Sequence, residues 1–150
     1  MNPAPSRPRR AVLIQGLSCA GLVLGGRKVW SADPTHGLAG PERRWYEAAV
    51  AMKRLAESAG DQPYGAVLVA KGAIIGEGPS RVVARGDATA HAEREAIRDA
   101  QRALGRKGLA GSVLYSTSRP CRQCEIAAAQ AQVSRMIFGE ALEDAGPPRP

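Results

Sequence analysis

Asp87-Ala88-Thr89-Ala90-His91-Ala92-Glu93 and, 27 residues past Glu93, Pro120-Cys121-Arg122-Gln123-Cys124 are the two stretches that order the rest of the chain. One imidazole and two thiolates are borderline-to-soft donors of the kind zinc takes, and three protein ligands leave a fourth position for water. Cys121 and Cys124 stand at i and i+3, so on a helix they share a face and can reach one ion. His91, Cys121 and Cys124 are therefore candidate ligands for one zinc ion per chain. Glu93 is not needed as a ligand and is left to move protons. The Cys-x-x-Cys alone also fits redox chemistry; His-x-Glu upstream and Pro120 before the first cysteine turn the reading to zinc. A purely structural zinc site is the alternative.

Working outward, the segments flanking both stretches alternate between strand and helix patterns. Trp45, Ala49, Met52, Ala56 and Ala59 recur at helical intervals, with Gly60 placed to end that helix. Ala66–Ala70 and Ala73–Gly78 read as a strand pair joined at Lys71-Gly72. Arg81 to Asp87 reads as a loop. Ala88 to Leu104 is predicted as a helix with Asp87 and Thr89 as candidate caps and Gly105 at its end. Ser112–Ser116 is a third strand, Pro120 opens a helix running to about Gln132, and Val133–Phe138 is a fourth strand. This order predicts an α/β sheet with helices on it, and sets both ligand groups at helix N-termini, where thiolates are favoured.

Charge is unevenly placed. The 150 residues carry a net charge of +7, but Arg7, Arg9, Arg10, Arg27 and Lys28 stand against no acid in the first 32. The remainder holds 16 basic and 14 acidic residues, and aromatics make up only 4%. A broad electrostatic footprint for nucleic acid, or a surface that stacks many bases, is not indicated.

Residues 1–32 have the order of an export signal: Arg9-Arg10, an apolar run from Ala11 to Gly26, then small residues near Ser31-Ala32. The arginine pair resembles a twin-arginine signal, which predicts a periplasmic or secreted protein; a disordered extension on a cytoplasmic protein is the alternative. The apolar run is short of the roughly 20 residues of a membrane span, so stable insertion is not expected. The domain division is then 1–32 for the signal or extension, 43–139 for the folded domain, and 140–150 for a tail.

The stretch from about Arg43 to Gly139 resembles the cytidine and deoxycytidylate deaminase superfamily. Pro63-Tyr64-Gly65-Ala66, Gly76-Glu77-Gly78, Asp87 to Glu93, Leu114-Tyr115-Ser116-Thr117 and Pro120 to Cys124 look like family blocks in family order. The spacing His-x-Glu…Pro-Cys-x-x-Cys is the mark of zinc-dependent base deaminases. Histidine as first ligand resembles the branch of guanine, cytosine and tRNA adenosine deaminases. The resemblance implies a three-layer α/β/α cytidine-deaminase-like fold, one Zn²⁺ per chain and a homodimer. It implies His91, Cys121 and Cys124 as ligands, Glu93 as proton shuttle, and the Ala92 backbone N–H as a substrate contact. The activity implied is that of an aminohydrolase, releasing ammonia from a nucleobase or nucleoside. A tRNA adenosine deaminase, or a non-catalytic zinc-stabilised interaction domain, is the alternative.

Three departures bear on the substrate. Ser80 stands where relatives of that branch carry Asn against the base, and Arg119 stands where Glu precedes the Pro-Cys pair. The chain ends eleven residues after Gly139, where relatives add a strand and helices, so a short C-terminus is expected. Ser80, Arg119, Tyr64 and Ala92 are the candidate substrate-side residues. Arg119 and Arg122 flank the first cysteine; each reads either as an anchor for phosphate or carboxylate or as a solvated side chain.

Overall fold

Gly65–Ala70 (β1) is an almost wholly buried strand, and the layers are built on its two faces in the computed structural model, which describes Gly40 and residues 42–150. The export-signal reading of residues 1–32 lies outside the described residues. Ahead of β1 runs α1, Glu42–Ser58; after it come β2 (Ala73–Pro79), α2 (Val82–Arg85), α3 (Ala92–Leu104), β3 (Ser112–Ser116), α4 (Arg122–Gln130), β4 (Arg135–Phe138) and β5 (Glu143–Gly146). The five strands stand in the order β2-β1-β3-β4-β5. β3 and β4 are parallel, joined across α4, and every other pair is antiparallel.

Side chains alternate across the sheet as strand geometry requires. Ala66, Leu68, Leu114 and Met136 face α3 and α4, packing with Ala92, Ala96, Ile97, Ala100 and Ala128. Val67, Val69, Tyr115 and Ile137 face the other way, toward Ala49, Trp45 and Met52 of α1. Two cores on opposite faces make the three-layer α/β/α arrangement that the resemblance implied. Fully buried Leu68 and Leu114 each contribute on the order of 1.5–3 kcal/mol.

The Lys71-Gly72 turn joins β1 to β2 as expected, both residues having positive φ. Where β2 meets α3 the backbones touch. A Cβ at Gly78 would lie 2.1 Å from Ala92 O, and one at Gly76 would lie 2.3 Å from Ala96 O. The Gly-x-Gly of β2 and the alanines at 92, 96 and 100 are thus two halves of one close contact, and that contact fixes where α3 begins.

Four boundaries differ from the sequence expectation. α3 starts at Ala92, not Ala88, because Asp87 caps a turn instead of the helix: its Oδ1 accepts from Thr89 N–H, and its carbonyl from Ala90 N–H. Residues 82–85 of the expected loop form the single turn α2, closed by Gly86 in the left-handed region. α4 begins at Arg122 with Cys121 as its cap, and ends at Gln130. The expected 140–150 tail contains β5, which pairs with β4 and is held by the Arg135–Asp144 ion pair at 2.9 Å. No helix among the described residues is long and apolar enough to cross a membrane.

Candidate metal centre and cleft

His91 and Cys121 each occupy the position just before a helix, α3 and α4, with extended backbone (φ −64°, ψ 152° and φ −75°, ψ 166°). Neither side chain caps its own helix, so both are directed to other work. Cys124 follows in the first turn of α4, on the same face as Cys121, and is fully buried. The loop before His91 is tied down by Arg81 N–H donating to Ala90 O at 3.0 Å.

These elements bring the three predicted ligands together. His91 Nδ1 lies 3.6 Å from Cys121 Sγ and 3.5 Å from Cys124 Sγ, and the two sulfurs are 3.5 Å apart. A tetrahedral zinc with sulfur at about 2.3 Å and nitrogen at about 2.0–2.1 Å has ligand–ligand edges of roughly 3.5–3.8 Å. The donor triangle therefore fits zinc in chemistry and in size. Among the described residues these three are the group of His, Cys and acidic side chains placed to hold one ion.

Glu93 lies beside the triangle at 5% exposure, with Oε2 accepting from Cys124 Sγ at 3.5 Å. Burial raises its carboxyl above the ordinary carboxylate range, against the lowering pull of its own backbone N–H, the Cys124 thiol and His91. Burial also pushes the Cys124 thiol up, helped by the Glu93 charge and by Cys121. A divalent cation among the three donors inverts that preference, because it replaces the thiol proton with a stronger positive charge.

The centre opens into a cleft of about 260 Å³ lined by Gln62, Tyr64, His91, Ala92, Glu93, Ser118, Arg119 and Cys121. Its two outer edges meet because the start of β1 and the end of β3 are joined: Gly65 N–H donates to Thr117 Oγ1, and Thr117 N–H to Gly65 O. Tyr64, Arg119 and Ala92, three of the candidate substrate-side residues, line this cleft. As the first residue of α3, Ala92 has an N–H with no acceptor within the helix.

Ser80 is placed differently. It is 2% exposed, is not part of the cleft lining, and its hydroxyl donates to Asp61 Oδ1 at 2.9 Å. Asp61 also accepts from Gln62 N–H at 2.7 Å and from Ala84 N–H at 2.9 Å, joining the β1 approach to α2. Sequence reasoning passed over Gln62, Ser118 and this Asp61 knot. Gln62 and Ser118 adjoin recognised blocks and were open to inference; the Asp61–Ser80 pair, 19 residues apart, was not.

The family model for the cytidine and deoxycytidylate deaminase zinc-binding region matches residues 41–140. The tRNA-specific adenosine deaminase of Buchnera aphidicola subsp. Schizaphis graminum is 37% identical over 100 residues, 67% of this chain and 66% of that protein. The guanine deaminase of Bacillus subtilis is 48% identical over 62 residues, 41% of this chain and 40% of that protein. The chain thus spans less than two thirds of the length of these relatives. Among solved structures, one from a study of A-to-I editing by tRNA:A34 deaminases superposes with a TM-score of 0.62 at 38% identity, covering 64% of this chain and 70% of its own. The Bacillus subtilis guanine deaminase structure gives a TM-score of 0.60 at 38% identity, covering 64% and 61%.

Proposed function

The chain belongs to the cytidine and deoxycytidylate deaminase zinc-binding family, and from that premise we propose that it is a zinc-dependent aminohydrolase acting on an amino-bearing nucleobase, free or within a nucleoside. The observation that carries the reading is the placement of the buried Glu93 carboxylate 3.5 Å from Cys124 Sγ, at the floor of a cleft whose three donors span zinc-sized edges.

Zinc at such a site supplies Lewis-acid activation of water for attack on a ring carbon. His91, Cys121 and Cys124, set at two helix starts, would hold the ion. Glu93 takes one proton from the attacking water and delivers it to the ring nitrogen, then takes the second from the hydroxyl now on the ring carbon and delivers it to the departing amine. Water and amine are then converted into a carbonyl and ammonia, with the carboxylate regenerated. The Ala92 N–H, on the cleft lining, offers a donor to an acceptor on the ring.

A second reading, adenosine within tRNA, is supported by the likeness to tRNA-specific adenosine deaminases. The test is ammonia release by the zinc-loaded full chain across bases, nucleosides, nucleotides and tRNA, with Glu93→Ala as control. Release from one compound, lost in Glu93→Ala with zinc retained, is expected. A folded, zinc-bound protein silent on the whole panel would sink the enzymatic reading in favour of a zinc-stabilised interaction domain.

A further inference from the structure

The outer wall of the cleft narrows the substrate class, an inference that rests on the deamination reading. Ligand pockets usually run from roughly 300 to 1,000 Å³, and this cleft holds about 260 Å³. A base seated against Glu93 and the Ala92 N–H takes up that space and leaves its sugar at the mouth. The residues there are Gln62, Tyr64, Ser118 and Arg119.

Arg119 and Arg122, which flank Cys121 in the sequence, are used differently. Arg122 Nη1 faces Glu125 at 3.8 Å, and its Nη2 donates to Pro150 O at 2.6 Å. Arg119 takes part in none of the ion pairs among the described residues. Its guanidinium lies 5.6 Å from the centroid of the Phe138 ring, a cation–π contact against a side chain fixed in β4. The one acid in the cleft lining, Glu93, is buried at the floor. The mouth thus presents an exposed cation, steadied and unpaired, and a planar guanidinium is suited to binding phosphate by paired hydrogen bonds.

We propose that Arg119 binds a phosphate carried on the sugar of the substrate, so that the cleft selects nucleotides over free bases and nucleosides. The phosphate has two sources, a mononucleotide or a polynucleotide, and both present the same group to Arg119.

The experiment compares kcat/KM for a nucleoside, its 5′-monophosphate and a short oligonucleotide containing it, using the zinc-loaded full chain and Arg119→Ala, Arg119→Lys and Arg119→Glu. The nucleotide-to-nucleoside ratio in the native protein is expected to be roughly tenfold or more. Arg119→Ala removes most of that ratio, chiefly through KM; Arg119→Lys retains part, and Arg119→Glu inverts it. A binding arm titrates the 5′-monophosphate into zinc-loaded Glu93→Ala protein by calorimetry, where adding Arg119→Ala raises Kd by a similar factor. Preference for the oligonucleotide with the same Arg119 dependence assigns the phosphate to a polynucleotide; preference for the monophosphate assigns it to a mononucleotide. Equal kcat/KM for nucleoside and nucleotides, or a ratio that Arg119→Ala leaves intact, overturns the proposal. Ammonia from no compound would instead strike the deamination reading, and the binding titration would still decide the role of Arg119.

Discussion

Gly78→Ala tests whether the β2–α3 contact sets the position of the metal centre. The added Cβ would stand 2.1 Å from Ala92 O and 2.5 Å from Ala96 N, where real Cβ atoms do not come closer than 3.0 Å. The obstructing atoms are backbone, so no side chain can swing aside. α3 must retreat from β2 by about 0.9 Å at its first turn. Overpacking of this kind costs about 1–3 kcal/mol. A displacement near 1 Å at reacting groups lowers rate on the order of a hundredfold, and the turn displaced here carries His91, Ala92 and Glu93. The expected result is a protein that folds with a lower urea midpoint, holds zinc more weakly, and loses about two orders of magnitude in kcat/KM. Gly72→Ala is the control: its Cβ meets nothing within 4 Å, so it bears only the strain of a positive φ. It should be destabilised by about 1 kcal/mol and keep its activity. Native kcat/KM and zinc affinity in Gly78→Ala would refute the reasoning.

Glu95 is 2% exposed and accepts from Arg85 Nη1 at 2.9 Å and Arg98 Nη1 at 2.8 Å, with Arg81 Nε at 3.7 Å. Glu95→Gln should destabilise by about 2 kcal/mol in urea unfolding, below the range for a fully buried pair because the arginines are partly solvated; a change under about 0.5 kcal/mol would show that the cluster contributes little. The Asp61 carboxyl is desolvated, but hydrogen bonds from Ala84, Gln62, Ser80 and Val83 outweigh burial and hold it below the usual carboxylate range. Its stabilisation is therefore present above the unfolded pKa near 4 and is lost as pH falls through the folded value. Asp61→Asn should be less stable than the native chain at pH 7, with the gap narrowing as pH falls below the unfolded pKa; a gap independent of pH would refute this. Removing zinc with a chelator should lower Tm and release the restraint between α3 and α4, and Cys124→Ala should reproduce the lower Tm without a chelator. An unchanged Tm on complete zinc removal would mean that the ion does not stabilise the fold.

Local chemistry was legible in the sequence, and reciprocal chemistry was not. The i, i+3 cysteines and the single residue between His91 and Glu93 are constraints that the chain carries within a turn or two, so the donor set could be read without the sheet. The start of α3 could not. Asp87 and Thr89 are both good caps, and what decides between a cap and a turn is the contact of Ala92 and Ala96 with Gly78, across 14 and 18 residues of chain. β5 has the polar sequence Glu-Asp-Ala-Gly, without the alternation that marks a strand, and exists because β4 offers it a free edge and Arg135 an ion pair.

The two arginines around Cys121 show the same limit at the site. The sequence singles out Arg119 by its place before the Pro-Cys pair but does not give the partners that set the two cations apart: Phe138 at the end of β4 for Arg119, and Pro150 for Arg122. Ser80 runs the other way. It stands where a base contact was expected, and Asp61 instead draws its hydroxyl into the wall behind the cleft. With Ser80 committed to that wall and Arg119 presented at the mouth, recognition shifts from the inner edge of the base toward whatever the sugar carries. The metal chemistry can stay that of the family while the group by which the substrate is selected changes.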